Sequence, residues 1–469
     1  MSDFLCGAPD RLPPSRREFL KMLGAGLASL SALNFLGGGC APSAPGRPNF
    51  VFILTDDHAY DAMGCAGHTW IRTPALDRLA GDGVRFSNAF VTSSLCSPSR
   101  ASFLTGLYPH EHGVVSNEVQ DIPAGMPTFP QLLRQAGYRT AFVGKWHMGR
   151  FARPRPGFDH WISFNSQGDY LKNTLNVDGT WELCENYITD EITARGVSFL
   201  EQADDRPFML MLSHKAIHQP FLPAARHATL YDDAVVTNDL PTGDRLDLKP
   251  DWGGRRQEPD LRGFLLANAR TLAAVDEGVA SILDVLARSG RLDDTVIVYA
   301  SDNGFLKGEH GGLWDKRVAY EPSIRIPLLV RYPRVFAPGT VCEELALNID
   351  LMPTLLKLAG VPAPARLPGL SLAELTAGTA SRESFLYEYF QELGAAPTTV
   401  ALRSRRYKYI TYPQNPEYTR ELYDLHYDPH ELINRVDEAA YGAEVARLDA
   451  ELESLKSRTG FRMMKAEVG

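Results

Sequence analysis

The 469-residue sequence predicts an α/β fold, a large, mostly parallel sheet sandwiched by helices, with a smaller C-terminal α+β subdomain that contains an antiparallel sheet. Three observations predict it: apolar runs of strand length that lack alternation, helical-period segments between them, and a change of pattern after about residue 380. Residues 49–57, NFVFILTDD, are apolar at nearly every position and stop at two carboxylates, which marks a central strand covered on both faces. Residues 295–304, TVIVYASDNG, repeat that design, with β-branched residues running into Asp302 and Asn303. Residues 140–149 and 207–220 are two further strand candidates. Helical patterns at 74–82, 128–136, 187–202 and 261–289 separate these runs, and such alternation argues for parallel strands joined by crossover helices. Beyond residue 380, the stretches TVALRSRRYKYITY and ELYDLHYDPHE alternate and then turn, and a helical stretch follows over 437–456. The Pro/Gly-rich residues 362–369 form a natural boundary, so a catalytic domain over 49–380 and a subdomain over 381–469 are expected.

The first 40 residues read as an export signal rather than as part of the fold. SRREFLK carries the twin arginines Arg16 and Arg17, and the apolar run after it is short and rich in Gly and Ala. That run ends in LGGGC, an imperfect lipobox, so Cys40 is a candidate lipid-anchor site, with ordinary cleavage nearby as the equal alternative and residues 41–48 as a linker. The expected location is periplasmic, lipid-anchored or secreted, in a bacterium. A net charge of −9 offers no overall basic face and argues against nucleic acid as a partner. The six cysteines are scattered without CxxC pairs, so neither a zinc knuckle nor a disulfide framework is predicted, and pairing among Cys65, Cys184 and Cys342 stays open.

Ligands in a parallel α/β sheet gather beyond the carboxyl ends of the strands. Asp56 with Asp57, and Asp302 with Asn303, stand at two such ends, and oxygen donors of this kind suit Ca²⁺ or, less well, Mg²⁺. Lys145, His147, His218 and Lys316 follow predicted strands or loops and describe a cationic pocket with a titratable imidazole, suited to an oxyanion beside a metal. His214 reads as a core residue. In SSLCSPSRASFLTGLYP, Pro98 suits a first helical turn with Cys96 or Ser97 as its cap, and Arg100 stands one turn on, able to pair with the same anion. A thiolate there, with His147 or His218 as base, suggests cysteine hydrolase chemistry, but a soft thiolate is a poor neighbour for a hard-oxygen metal site.

These residues resemble the type I sulfatases of the alkaline-phosphatase-like superfamily. CSPSRASFLTG is similar to their C-x-P-S-R signature, and RPNFVFILTDD, GLYPHEHGV, AGYRTAFVGKWHMG, SDNGFLKGEHG, LWDKRVAYEPSIRIPLLVRYP and ELYDLHYDP follow in the family's order over about residues 48–430. The resemblance implies that Cys96 is converted after translation, by a maturation enzyme, to formylglycine, whose hydrate replaces the thiol with an oxygen that a divalent ion can bind and acidify. It further implies attack of one hydroxyl on sulfur, departure of the alcohol, and release of sulfate from the enzyme with return of the aldehyde. Asp56, Asp57, Asp302 and Asn303 would be calcium ligands, with the oxygen at Cys96 completing the site. Arg100 and Lys145 would hold the hydrate, His147 would assist its regeneration, and His218 and Lys316 would bind sulfate and help protonate the leaving oxygen. AIHQP departs from the Pro-His pair common in the family, and this bears on His218.

Export and family likeness together point to a sulfated extracellular carbohydrate as substrate, such as a glycosaminoglycan, mucin or algal glycan. Glycan sulfatases acting on 6-sulfated N-acetylglucosamine are among those resembled. Residues 157–180 and 226–261 are the expected substrate rim. The rival readings are a phosphate or phosphonate ester hydrolase of the same superfamily and a non-catalytic glycan-binding lipoprotein.

Overall fold

A computed structural model describes residues 46–118, 120–202, 205–236, 260–392 and 396–466, together with Pro241, Asp244 and Lys249. The export signal, Cys6, Cys40, most of the linker and much of the expected rim over 226–261 lie outside the described residues.

The strands are β1 (Asn49–Thr55), β2 (Val84–Phe86), β3 (Ala89–Phe90), β4 (Arg139–Lys145), β5 (His160–Phe164), β6 (Asn173–Val177), β7 (Thr180–Cys184) and β8 (Phe208–Ser213). They continue with β9 (Thr295–Ser301), β10 (Leu328–Arg331), β11 (Thr340–Cys342), β12 (Ala346–Leu347), β13 (Ser384–Tyr389), β14 (Thr399–Ser404), β15 (Tyr407–Thr411) and β16 (Glu421–Asp424). The longer helices are α1 (Pro74–Gly81), α2 (Cys96–Thr105), α3 (Phe129–Gln135), α4 (Ile188–Glu201), α5 (Leu261–Arg288), α6 (Leu351–Ala359) and α7 (Gly442–Thr459).

Ten strands form the main sheet in the order β11-β2-β10-β9-β1-β8-β4-β5-β6-β7. Its centre, β9-β1-β8-β4-β5, is parallel, while β10 and the β5-β6-β7 meander pair antiparallel on the two flanks. The unbroken apolar runs have the expected explanation, for alternate residues feed two separate cores. Phe50, Phe52, Leu54, Phe142, Met211 and Val298 face one core, with α2, α3 and α6 against them; Val51, Ile53, Val143, Leu212 and Ile297 face the other, under α1, α4 and α5. Each fully buried side chain of this size contributes about 1.5–3 kcal/mol. A one-residue slip would exchange the faces of a whole strand, so the register is held firmly.

That register decides where the polar residues fall. Thr55 stands opposite Ser301, Leu54 opposite Ser213, and Ser213 opposite Gly144, so four strands end at one level. The chain beyond them stays tied down: Asp302 donates its N–H to the Thr55 carbonyl, and Asp56 donates to the Ala216 carbonyl. Gly144 has a positive φ of 122°, and a Cβ there would lie 1.9 Å from the Ser213 carbonyl oxygen. Only glycine allows β4 to approach β8 so closely just before Lys145.

The C-terminal strands β13-β14-β15-β16 form a four-stranded antiparallel sheet. Phe385, Leu386, Leu402 and Leu422 of that sheet and Leu448 and Leu452 of α7 belong to the same apolar core as Phe103 and Leu104 of α2. Residues Arg47–Gly469 make one compact unit by contacts. The rim expected over 157–180 is partly corrected, since most of it is β5, β6 and their connections; the turn between them remains available to the site. Cys65, Cys96, Cys184 and Cys342 are free thiols, which removes the disulfide left open by the sequence. Among the described residues no helix is long and apolar enough to cross a membrane.

Candidate active site

The level strand ends bring Asp56, Asp57, Asp302 and Asn303 together, all buried. Oxygens of Asp56, Asp57 and Asp302 lie within 4.8 Å of one another, and the Asn303 side-chain oxygen is buried with no hydrogen-bond partner. Asn303 is oriented by donating its amide to Asp57 Oδ1 at 2.6 Å and to the Gly304 carbonyl at 2.8 Å. Three converging carboxylates and an orphaned amide oxygen are a donor set that fits a hard divalent cation. Asp57 takes a left-handed backbone, φ 59°, a conformation in which Asp is enriched among non-glycine residues.

Charges around this cluster shape it unevenly. Burial pushes the Asp56 carboxyl up, but the charges of Lys145, Lys316 and Arg100 outweigh it and hold Asp56 well below the usual range. Burial raises Asp57, with Lys316 opposing and Asp56 reinforcing, and burial with the Asp56 charge raises Asp302 against the pull of Arg100. Asp57 and Asp302 are thus costlier to ionise than Asp56, and a divalent cation bound by the three would offset that cost.

Helix α2 supplies Cys96 and Arg100. Its N-cap is Leu95, one residue before the cysteine, so the expectation of a Cys96 or Ser97 cap is corrected; Pro98 does lie in the first turn, and Gly106 closes the other end in a left-handed conformation. Ser97 N–H is taken by Asn117 Oδ1 at 2.9 Å. Arg100 lies among the acceptors of the cluster. Its donors reach Asp302 Oδ2 at 2.8 Å and 2.7 Å, Asp56 Oδ2 at 3.2 Å, the Lys145 carbonyl at 2.8 Å and Ser213 Oγ at 2.7 Å. The guanidinium thereby ties two carboxylates of the cluster to the ends of β4 and β8.

Cys96 Sγ lies 3.6 Å from Asp56 Oδ1 and accepts from Lys316 Nζ at 2.8 Å. Burial, helped by the Asp56 charge and opposed by Lys316, pushes the thiol up to about 12. A group so held is protonated at neutral pH, which corrects the thiolate-nucleophile reading: the helix start is surrounded by carboxylates that work against a second anion. Lys316 also contacts Asp57 Oδ1 at 2.5 Å and Asp56 Oδ1 at 3.7 Å. Burial works against its charge, but Asp57, Cys96 and Asp56 raise it well above the ordinary lysine value.

Lys145, the last residue of β4, contacts Asp56 and Gln167. His147 follows in a left-handed backbone, φ 59°; its carbonyl accepts from Ser97 Oγ, and its buried Nδ1 has no partner. Burial, then Lys145 and Arg100, hold the His147 imidazole well below its usual value. His218 points Nε2 at Asp57 Oδ2, 3.8 Å away, while its Nδ1 meets the Gln219 carbonyl at 2.6 Å. Burial pushes it down to about 3, so it is neutral, with the proton on Nδ1 and a lone pair toward the carboxylates. His214 is fully buried just past β8, donating its backbone N–H to Leu54, and burial lowers it to about 4.

The geometry thus gathers Asp56, Asp57, Cys96, Arg100, Lys145, His147, His218, Asp302, Asn303 and Lys316. Sequence reasoning missed Ser213, Gln167, Tyr170 and Lys215. Ser213 and Lys215 stood within a quoted strand candidate, and a residue type other than histidine was not sought there; Gln167 and Tyr170 arrive on the β5–β6 turn, which periodicity cannot place. Beside the site, a cavity of about 330 Å³ is lined by His68, Trp70, Phe305 and Lys307 among others, on chain that directly follows the two acidic pairs.

Comparison with known proteins places these features in company. The Sulfatase family model matches residues 48–361, and a model described as N-sulphoglucosamine sulphohydrolase, C-terminal, matches residues 308–458. An N-acetylglucosamine-6-O-sulfatase of Bacteroides thetaiotaomicron is 33% identical over 88% of this chain and 87% of its own. An ulvan-active sulfatase of Formosa agariphila is 30% identical over 89% and 82%. A solved structure described as a complex with its substrate D-glucosamine-2-N,6-O-disulfate superposes with a TM-score of 0.80 at 30% identity, over 88% of this chain and 98% of that one.

Proposed function

The chain belongs to the sulfatase family and is a sulfuric ester hydrolase, and from that premise we propose that it removes 6-O-sulfate from glucosamine-type sugars of extracellular glycans. The single observation that carries the reading is the convergence of three buried carboxylates of which one, Asp56, lies 3.6 Å from the Cys96 Sγ that Lys316 also meets at 2.8 Å. Support for the sugar comes from the relatives: one is named for N-acetylglucosamine 6-O-sulfate, and one is solved with a 6-O-sulfated glucosamine.

In this proposal a formylglycine hydrate at position 96 would supply an oxygen nucleophile, and Asp56, Asp57, Asp302 and Asn303 would hold a calcium ion that would ease the negative charge on it. The remaining work falls to side chains. Sγ of Cys96 marks where the nucleophilic atom stands, and Lys316 already places a cation there that also reaches Asp57. A sulfate oxygen beside that atom meets the Lys316 ammonium, which stabilises charge developing there. Lys145 and Arg100 hold Asp56 ionised and aligned, so that it accepts rather than donates hydrogen bonds. Neutral His147, buried with a free Nδ1, is equipped to take a proton in regeneration. Neutral His218 faces the same space through a bare Nε2; an anionic substrate raises its basicity, so Nε2 can take a proton from solvent and pass it to the departing oxygen. Export by the twin-arginine route, and a lipid anchor at Cys40, belong to the same proposal and are read by cell fractionation.

The mass of the peptide carrying residue 96, taken from active enzyme, tests the nucleophile: conversion of the thiol to an aldehyde is expected, and an unmodified thiol overturns it. Cys96→Ala should abolish turnover with the fold intact. A glucosamine 6-sulfate and the matching 6-phosphate, assayed side by side, test the ester class, and higher kcat/KM on the phosphate would turn the reading toward a phosphoryl hydrolase.

A further inference from the structure

One wall of the site is built from the turn after β8 and the turn between β5 and β6. Lys215 and His218 share the first turn, where His218 N–H donates to the Lys215 carbonyl at 3.0 Å. Tyr170 and Gln167 come from the second: Tyr170 Oη donates to the His218 carbonyl at 2.7 Å, and Gln167 meets Lys145.

The other cations here have counterparts. Arg100, Lys145 and Lys316 lie on the oxygens of Asp56, Asp57 and Asp302, so three carboxylates and three cations are matched one for one. Lys215 has no such match. It is 2 % exposed, and its ammonium sits 5.1 Å from the centre of the Tyr170 ring, with no carboxylate at ion-pair distance and no hydrogen-bond acceptor among the described residues. Its field is nevertheless that of the active centre: the charges acting on it are Lys145, Asp56, Asp57 and the exposed Asp169. Burial and Lys145 push it down to about 8, the mark of a cation held out of water without compensation. A buried, uncompensated ammonium costs stability, and the cost is met when an anion arrives. The scissile sulfate ester, with one negative charge, already has Lys316 at the reacting atom.

We propose that Lys215 is a specificity-determining residue that receives a second anionic substituent of the substrate, a sulfate or carboxylate on the sugar that carries the scissile sulfate or on its neighbour. The inference rests on the glycan-sulfatase reading and narrows it to multiply charged sugars. A compact ammonium on a flexible stem suits a tetrahedral sulfate, which needs no planar fork, and the Tyr170 face beneath it holds the stem in place.

The test compares full-length enzyme with Lys215→Met, which keeps the stem and removes the charge, and Lys215→Arg, which keeps the charge. The probes are glucosamine 2-N,6-O-disulfate and N-acetylglucosamine 6-O-sulfate. Lys215→Met is expected to lose at least about tenfold in kcat/KM on the disulfate, mainly through KM, and less than about threefold on the monosulfate, with Lys215→Arg retaining most of the discrimination. Equal loss on both probes, or no loss on either, overturns the inference while leaving the sulfatase reading intact. Absence of turnover by the unaltered enzyme on both sugars overturns the reading itself, and the inference with it. Should Lys215→Met fold poorly, Lys215→Gln, which removes the charge and keeps a polar end, decides: a fall in the ratio of kcat/KM on the disulfate to that on the monosulfate is expected, and an unchanged ratio overturns the inference.

Discussion

Lys316 touches the atom at which chemistry is proposed to occur and two of the three carboxylates behind it. Lys316→Ala should therefore lower kcat by roughly 10²–10³-fold with a smaller change in KM, the size expected when one preorganised donor is removed from a site of developing charge; steady-state kinetics on a sulfated glucosamine checks it. The residue was legible in GLWDKR only through its resemblance to a family block, because an isolated lysine in sequence has no marker of burial. Arg100 was equally visible, but its protein partners were not. A single Arg one turn past the cysteine suggests a hand for an anion, and the folded chain sets its donors on Asp56, Asp302, Ser213 and the end of β4. Which partner an arginine takes depends on residues far away in sequence, and no local pattern records it.

Between elements, the short helix Glu321–Ile324 is joined to the small sheet by a buried ion network. Glu321 contacts Arg403 of β14 and Lys408 of β15, both at 3.0 Å, and Lys408 also reaches Glu431 at 2.5 Å. Burial opposes the Glu321 charge, but Arg403 and Lys408 outweigh it and hold the carboxyl below its usual value. Glu321→Ala takes the carboxylate from buried Arg403, leaves Lys408 with Glu431 alone, and should cost about 3–5 kcal/mol in denaturant unfolding. A depressed folded-state value also sets the direction with pH: the stabilisation from Glu321 is complete above the ordinary carboxylate range and is lost as pH falls through the depressed value. Unaltered protein should thus lose stability toward acid more steeply than Glu321→Gln, measured by denaturant midpoints across pH 3–6. The strands themselves were legible, since the four apolar runs before β-end polar residues became β1, β9, β4 and β8. The strands outside these four, β2, β5, β6, β7, β10 and β11, were not anticipated, because strands so short carry too few residues for a period to show.

For the whole molecule, the accumulation of buried acid at one point predicts coupling between ion binding and stability. With Asp57 and Asp302 raised by burial and by the Asp56 charge, an ion that binds them only in the folded state stabilises it by mass action, about 2.7 kcal/mol at a hundredfold excess over Kd. Chelation should lower both Tm and turnover, and added Ca²⁺ should restore both more effectively than Mg²⁺, which demands stricter geometry; differential scanning calorimetry with parallel assays reads the two together. A Tm indifferent to chelator and to both ions would sink the calcium assignment.

By itself the sequence determined the α/β class, the two acidic strand ends, the cysteine at a helix start and the order of family blocks, because these are written in local runs and spacings. Only the tertiary structure decided that the cysteine is buried between Asp56 and Lys316, that Arg100 lies on Asp56 and Asp302, and that Lys215 stands uncompensated beside Tyr170. Burial and charge pairing arise between segments some 40 to more than 200 residues apart, joined by strand register, and the electrostatics of a site exists only once that register has formed.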